Sequence, residues 1–241
     1  MTALPALELE HASYRYGDLW VLRDLTLSLR AGETLVVTGE NGVGKSTLLY
    51  VCAGLVPATG GRVRLMGRVP NPSRPSELVH HGVRRGFVFS GGGLLSNTSA
   101  LGNVTLPLRY HADLFGMDEE AIEARARELL SELRVSQADF HALPAHLSAG
   151  VRRRVSLARA LAVSPNFLFL DDPEADLDSA TKRLVYELLE RFRNDPEVTL
   201  VVATTSPELI ERLGVPPREL AHGYLLGPGR SLSTLGPPAK C

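Results

Sequence analysis

Short apolar runs alternate with amphipathic stretches along most of the chain. Segments in which apolar residues run together, or alternate with polar ones over a few positions, predict β-strands. They are 7–16, 25–29, 34–38, 62–66, 86–89, 167–172 and 199–203, followed in the tail by 219–226 and 230–234. The segment 68–82 is rich in proline and polar residues, which predicts a loop.

Helices are predicted where apolar residues recur every three or four positions. One helix begins at Asp118, whose side chain can accept a hydrogen bond from a first-turn amide. Its apolar face consists of Ile122, Ala126, Leu129, Leu130 and Leu133. Ser148 caps a second helix, 179–192 is a third, and 46–53 suits a buried helix. Because strands alternate with helices, we predict an α/β fold with a mainly parallel sheet, in which residues 95–163 are a mostly helical insertion.

Composition and charge narrow the possible partners. The 241 residues include 26 basic and 27 acidic side chains, so we expect no nucleic-acid partner and no general attraction to anionic lipid. Cys52 and Cys241 indicate neither a disulfide framework nor a metal site, which favours a reducing cytoplasm. The N-terminus does not resemble a signal peptide, and no apolar run approaches the roughly 20 residues that span a bilayer. We therefore expect no direct membrane insertion.

One stretch carries a specific motif, G-x-x-x-x-G-K-S, between a predicted strand and a predicted helix. Gly42 and Gly44 free the backbone to turn its amides around a polyphosphate, and Lys45 adds a positive charge for the outer phosphates. The hydroxyl of Ser46 is the usual partner of Mg²⁺ in this motif. The predicted nucleotide-binding residues of this P-loop are Gly39, Glu40, Asn41, Gly42, Val43, Gly44, Lys45, Ser46 and Thr47.

Asp171 is a second candidate for the same site. It ends the fully apolar run 167–170, and ligands of open α/β sheets bind at the carboxyl ends of strands. A carboxylate there can hold Mg²⁺ opposite the Ser46 hydroxyl. The alternative is an aspartate that only caps the following turn.

The order of four motifs resembles the ATPase subunit of an ABC transporter. After the P-loop come Leu147-Ser148-Ala149-Gly150, the FLFLDD strand and Ala175-Asp176-Leu177-Asp178. The resemblance implies a P-loop NTPase (RecA-like) core with a mainly parallel sheet, an N-terminal antiparallel β part and an inserted α-helical subdomain. It implies one domain, 1–241, in which 1–94 and 164–241 form the nucleotide-binding core and 95–163 the helical signature subdomain.

The same resemblance implies roles for individual residues. Tyr16 matches the aromatic that stacks on adenine, although a tyrosine here can also be a core residue. Asp171 matches the Walker B acid, and Asp178 matches the acid of the D-loop. Two such subunits sandwich two ATP molecules in the family, so Ser148 and Gly150 would meet the partner's nucleotide. The implied cofactors are ATP and Mg²⁺. The implied partners are a membrane permease and a second ATPase subunit, which would hold the chain on the inner face of the cell membrane.

Several positions depart from the family pattern. Ser90 stands where the family has a glutamine, Asp172 where it has the general-base glutamate, and Thr205 where it has a histidine. Ala149 and Val151 replace a glycine and a glutamine of the signature. Asp172 withdraws its carboxylate by about 1 Å, and a misplacement of that size can cost ~10²-fold in rate. We predict that ATP–Mg²⁺ binding is retained and hydrolysis is slow, unless neighbouring residues compensate.

A finer resemblance concerns the transported substrate. Residues 87–108 and 147–160 are similar to the ATPases of bacterial Mla/Mce lipid-transport systems. Asn103-Val104 and Pro107-Leu108 are shared with lipoprotein-release ATPases too. We favour the lipid branch. The run Arg152-Arg153-Arg154 is expected to be a solvated or interface face of its helix.

Three classes of function compete on these residues. The first is a transport ATPase subunit, either in a homodimer or in an asymmetric pair with a more complete ATPase. The second is a catalytically inactive pseudo-ATPase that binds nucleotide and acts as a structural or regulatory partner. The third is an ABC-type ATPase of DNA repair or translation, which predicts a coiled-coil insertion, a zinc motif or a tandem domain. The sequence has none of these features, which disfavours the third class.

Overall fold

A computed structural model describes residues 4–175 and 177–227. The strands in these residues are β1 (Leu7–Tyr16), β2 (Leu19–Leu29), β3 (Thr34–Thr38), β4 (Gly60–Leu65), β5 (Arg85–Val88), β6 (Phe167–Asp171), β7 (Thr199–Ala203), β8 (Arg218–Ala221) and β9 (Tyr224–Leu226). The helices are α1 (Lys45–Cys52), α2 (Pro75–His80), α3 (Ala100–Tyr110), α4 (Ala112–Phe115), α5 (Glu119–Glu132), α6 (Ala149–Leu161), α7 (Ser179–Arg193) and α8 (Pro207–Leu213).

Two sheets form the frame of the molecule. In the first, β1 lies between β2 and β4 and pairs antiparallel with both. The second has the order β5-β6-β7-β3-β8-β9, and its neighbours are parallel except β8 with β9. Every residue of β6 and β7 is buried, as expected of central parallel strands that are covered on both faces. The predicted α/β fold, with its mainly parallel sheet and N-terminal antiparallel part, is confirmed.

The register of the larger sheet brings several strand ends to one edge. Val88 of β5 lies opposite Leu170 of β6, and Asp171 lies opposite Ala203 of β7. Ala203 also lies opposite Val37 of β3. Loops that follow these strands therefore start side by side, which gathers the candidate site residues from distant parts of the sequence.

The helices α3, α5 and α6 pack on one another beside this sheet. Side chains of Ser99, Asp118 and Ser148 accept hydrogen bonds from first-turn amides and cap the three helices. The apolar face predicted for the helix after Asp118 is buried as a whole. The division of the domain at residues 94/95 and 163/164 stays a prediction.

Asn103 of α3 fixes the segment before its helix. The side chain is fully buried, and its Oδ1 accepts a hydrogen bond from Leu95 N at 2.8 Å. Its Nδ2 donates to the carbonyl oxygens of Thr98 (2.9 Å) and Ser99 (3.0 Å). The amide thereby satisfies backbone groups that a loop would otherwise bury without partners.

Some sequence predictions about local structure were wrong. The segment 68–82 contains α2, because Pro75 sits in its first turn, where proline is tolerated. Helix α8 was missed, although Ser206 caps it and Gly214 ends it in a left-handed conformation. The run 219–226 is two antiparallel strands joined by a turn at His222-Gly223, and 230–234 lies outside the described residues. In the described ranges no helix combines the length and the apolarity needed to cross a membrane.

Candidate nucleotide-binding site

The P-loop joins β3 to α1 and carries a buried lysine. Lys45, the first residue of α1, is 8% exposed. Its Nζ donates hydrogen bonds to the carbonyl oxygens of Gly39 (2.8 Å) and Glu40 (2.9 Å). Carbonyl oxygens carry only partial charge, so the ammonium keeps a net positive charge that favours an anion at the N-terminus of α1.

Close packing explains two of the glycines in the loop. Gly39 has φ 142°, and a Cβ there would lie 2.4 Å from the carbonyl oxygen of Leu220. Gly44 has φ 110°, and its Cβ would lie 2.5 Å from Cγ1 of Val21. The loop is thus fitted between β2 and β8, where larger residues would displace backbone and side chains.

Asp171 ends β6 with a carboxylate oxygen that lacks a partner. The residue is 3% exposed, and its Oδ2 has no hydrogen-bond partner among the described residues. A buried carboxylate oxygen without a donor is costly, and a cation is the group that relieves the cost. Burial raises the pKa of Tyr50, and the charge of Asp171 raises it further. Helix α1, which carries the Ser46 hydroxyl, packs against β6, the strand that Asp171 ends. The pair therefore suits Mg²⁺.

Asp172 lies beside Asp171 in a left-handed backbone conformation with φ 48°. Its amide donates to the carbonyl of Ala203 at 2.9 Å. Burial raises the pKa of Asp172, while the positive charge of Lys45 opposes this rise. The pairing of β6 with β7 and of β7 with β3 brings Asp172 and the P-loop to the same end of the sheet.

Ser90 and Thr205 follow the strands on either side of β6. Ser90 comes two residues after β5, and its carbonyl accepts a hydrogen bond from Arg153. Thr205 is exposed, two residues after β7. The next residue, Ser206, donates its amide to Oγ1 of the buried Thr204 at 3.0 Å. All three departing positions thus lie at the sheet edge that carries Asp171.

Tyr16 ends β1 with its ring available for stacking. The residue is 51% exposed, and the Tyr14 ring packs edge-on against it at 4.9 Å between centroids. This exposure excludes the alternative of a core tyrosine. An exposed ring that packs against a neighbouring ring can stack on a planar ligand, so stacking on adenine stays a prediction.

The signature segment lies at the N-terminus of α6. The exposed Ser148 accepts a hydrogen bond from Val151 N at 3.3 Å through Oγ. Gly150 is buried against the start of α7, where a Cβ would lie 2.8 Å from Thr181 Oγ1 and 2.9 Å from Asp178 Oδ2. Asp178 itself caps α7 through Thr181 N at 2.9 Å. The signature segment and the residue predicted for the D-loop are therefore in direct contact.

Comparison with known proteins identifies the family. The family model described as ABC transporter matches residues 22–175. The chain belongs to the ABC transporter family. It is 37% identical over 198 residues to the lipoprotein-releasing system ATP-binding protein LolD of Geobacter metallireducens, covering 80% of this chain and 84% of that protein. LolD 2 of Caulobacter vibrioides is 39% identical over 196 residues, with coverages of 80% and 83%.

A solved structure supports the same assignment for this ABC transporter ATP-binding subunit. It is a dimeric ATP-binding cassette in a post-hydrolysis state bound to ADP and Pi. It superposes with a TM-score of 0.80 at 29% identity and covers 91% of this chain and 96% of that one. The expectation of the Mla/Mce branch was wrong, because the relatives found are lipoprotein-releasing ATP-binding proteins, the alternative that shares Asn103-Val104.

The burial of two charged residues of this ABC subunit was not predicted from the sequence. Arg153 was expected on a solvated or interface face, but it is 5% exposed and donates to the Phe89 and Ser90 carbonyls. Glu174 is buried two residues after Asp172 and accepts a hydrogen bond from the Tyr186 hydroxyl. A charge within a run of charged residues is normally solvent-exposed, so no local signal marks either residue.

Proposed function

We propose that this chain is the ATP-binding subunit of a lipoprotein-release-type ABC transporter. It would couple ATP binding to movement of a membrane permease that holds it at the cytoplasmic face of the membrane. The observation that carries the proposal is the pairing of a buried lysine in the P-loop with the unpartnered Oδ2 of Asp171 at the adjoining strand end. One group fits a polyphosphate and the other fits its metal ion.

The proposed roles follow from the placement of each side chain. Amides of residues 39–44 and the Lys45 ammonium would hold the phosphates, and Tyr16 would stack on the base. Ser46 and Asp171 would hold Mg²⁺, which supplies charge neutralisation at the phosphates. Ser148, at an exposed helix N-terminus, would meet the nucleotide of a second ATPase subunit.

Slow hydrolysis is part of the proposal. Ser90, Asp172 and Thr205 lie at the sheet edge of Asp171, but each side chain is shorter or less basic than the residue the family uses. Asp172 keeps a carboxylate, which is the minimum that a general base requires. Losing about tenfold at each of three positions corresponds to roughly 4 kcal/mol of barrier, if the effects add.

The departures at Ser90, Asp172 and Thr205 also favour a second candidate function. The chain would be an inactive nucleotide-binding partner of a complete ATPase subunit. This candidate predicts ATP binding with no turnover by this chain, either alone or with the permease, and turnover only when the complete ATPase subunit is present. The first candidate predicts slow turnover that increases when the permease is present.

The test measures binding and turnover separately. Calorimetry with MgATP should give binding for the wild type and for Lys182→Ala, and a loss of at least about tenfold for Lys45→Ala. Phosphate release should be slow in the wild type and faster in the combined variant Ser90→Gln, Asp172→Glu and Thr205→His. Equal MgATP affinity in the wild type and Lys45→Ala would contradict the proposed site. Rapid turnover by the wild type would contradict the slow-hydrolysis part.

A further inference from the structure

Three side chains of α6 donate hydrogen bonds to the backbone of the loop that carries Ser90. The Ser90 loop is defined here as residues 89–93. Arg153 Nη1 donates to the Phe89 carbonyl at 2.9 Å, and Arg153 Nη2 donates to the Ser90 carbonyl at 2.8 Å. The next contacts along the same helix face come from Ser156 and Arg159. Ser156 Oγ donates to the Gly92 carbonyl at 2.8 Å, and Arg159 Nη1 donates to the Gly93 carbonyl at 2.6 Å.

The gripping side chains are spaced for one helix face and removed from solvent. Positions 153, 156 and 159 are three residues apart, so they project from one side of α6. Arg153 and Ser156 are buried, and burial lowers the pKa of Arg159. Hydrogen bonds from a charged fork to two successive carbonyls are strong and geometrically specific. We call these three residues the α6 clasp.

The Ser90 loop has few means of its own to hold a position. Residues 91–93 are all glycine, and a Cβ at Gly91 or Gly92 would meet nothing within 4 Å. The loop closes on itself through one turn, in which Gly92 N donates to the Phe89 carbonyl at 2.8 Å. The Phe89 ring anchors the start of the loop, with its centroid 4.4 Å from that of Phe87, and the α6 clasp holds the backbone carbonyls of the loop.

The gripped loop adjoins the acidic end of the nucleotide site. Val88 pairs with Leu170, so the loop starts beside Asp171 and Asp172. Arg153 bonds the Ser90 carbonyl at 2.8 Å, so its guanidinium lies at this same end of the strands. The P-loop follows β3, on the other side of β6 from β5. In the proposed site the inner phosphates would bind at the P-loop, and the Ser90 loop and Arg153 would lie nearer the terminal phosphate.

We propose that Arg153 is the positioning residue of the Ser90 loop, and that the α6 clasp makes this loop and α6 move as one unit. The inference rests on the proposed function, since it concerns how this chain distinguishes ATP from ADP. The loop is placed by a helix whose N-terminus carries Ser148 and Gly150, rather than by a long side chain of its own.

The first test uses the nucleotide-free protein. Arg153→Lys keeps the positive charge but loses the fork, and Arg154→Lys is the matched control, because Arg154 Nη1 instead bonds the Arg134 carbonyl at 2.7 Å. Hydrogen exchange of amides 89–93 should be about tenfold faster in Arg153→Lys and unchanged in Arg154→Lys. Equal exchange in both variants would overturn the proposal. If Arg153→Lys does not fold, Ser156→Ala, which removes one buried bond to Gly92, takes its place with the same expected result.

The second test separates this inference from the proposed function. Arg153→Lys should weaken MgATP binding by about tenfold and leave MgADP binding within about twofold of the wild type. The control Arg154→Lys should leave the binding of both nucleotides within about twofold of the wild type. Equal losses for ATP and ADP would reduce Arg153 to a structural residue and overturn the inference. Absence of binding of either nucleotide by the wild type would instead refute the proposed function.

Discussion

Asp172 combines a strained backbone with a partly buried charge. Its φ of 48° lies in a region that aspartate and asparagine tolerate better than most residues. Burial raises the pKa of its carboxyl group. The nucleotide-free fold therefore binds a proton at this group more tightly than the unfolded chain does. The ionised carboxylate costs stability at neutral pH, and the cost disappears as the pH falls toward the ordinary value of 3.8.

Asp172→Asn should consequently stabilise the nucleotide-free protein at pH 7. Asparagine keeps the shape and tolerates the positive φ, but carries no charge. Because the group is half exposed, solvent screening limits the expected gain in Tm to about 2 °C. Calorimetry at a series of pH values should show the gain shrinking on acidification. A gain that stays constant with pH would contradict a titrating origin.

Tyr186 of α7 and Glu174, two residues after Asp172, form a buried hydrogen-bonded pair. The hydroxyl of Tyr186 donates to Oε2 of Glu174, and Oε2 of Glu208 lies 3.3 Å from the same hydroxyl. The Arg212 guanidinium covers the ring at 4.7 Å from its centroid. The Tyr186 hydroxyl thus links the segment after Asp172 to α7 through Glu174, and α7 to α8 through Glu208.

Tyr186→Phe should remove this hydroxyl and leave the ring packing intact. The buried Glu174 then loses a donor, which should lower the free energy of unfolding by about 1–3 kcal/mol. Adding Glu174→Gln should recover part of the loss, because an uncharged amide is less costly to bury. Urea unfolding of the single and double variants measures the coupling. Tyr110→Phe, at an exposed site, is the control, and an equal loss there would contradict the role of the hydroxyl.

Among the elements, α6 serves both the fold and the site. Ser148 caps its first turn, and Ser99 caps α3 in the same way with Oγ accepting from Gly102 N at 3.1 Å. Only Ser148 belongs to the signature segment. The two serines therefore separate capping from nucleotide contact.

Ser148→Ala and Ser99→Ala should each cost about 1 kcal/mol, or roughly 2–4 °C in Tm. Only Ser148→Ala should also weaken dimerisation that depends on MgATP, because it removes a hydroxyl that we propose contacts the partner's phosphates. Thermal unfolding and sedimentation velocity measure the two effects. Equal dimerisation by both variants would argue against nucleotide contact in trans.

Element prediction succeeded where a local pattern determines the structure. The helix after Asp118 has a cap and a periodic apolar face, and both are present in α5. Helix α8 carried comparable signals in Ser206, Pro207 and Gly214, but it is short and follows a buried strand. Arg153 is different in kind. Its burial results from a loop 63 residues earlier in the chain, and a run of three arginines gives no sign of which one turns inward.

At the scale of the molecule, the candidate site residues at the strand ends were easier to predict from the sequence than the contacts that hold the neighbouring loops in place. The P-loop and Asp171 are strand-end features, so parallel topology brings them together once the strand order is known. The clasp and the Glu174–Tyr186 pair depend on helix–loop packing that residue spacing does not encode. The residues proposed to bind nucleotide could thus be named from the sequence, and the residues proposed to position the loops could not.

Slow hydrolysis should make the assembled state of the protein persistent. The chain resembles a dimeric cassette over 91% of its length. With MgATP, wild-type protein should remain dimeric for as long as the nucleotide lasts. The variant combining Ser90→Gln, Asp172→Glu and Thr205→His should dimerise and then return to monomer. Time-resolved light scattering follows both, with Lys45→Ala as the monomeric control. Rapid dissociation of wild-type dimers would contradict slow hydrolysis.

The hydrogen bonds from Lys45 to the carbonyl oxygens of Gly39 and Glu40 affect the rate of nucleotide binding. The carbonyl bonds keep the lysine inside the loop before any ligand arrives. An incoming phosphate then replaces the two carbonyl oxygens as the hydrogen-bond acceptor of Lys45, and no loop has to fold first. The rate of nucleotide binding is therefore set by diffusional encounter with a preformed P-loop. The observed binding rate should rise in proportion to nucleotide concentration.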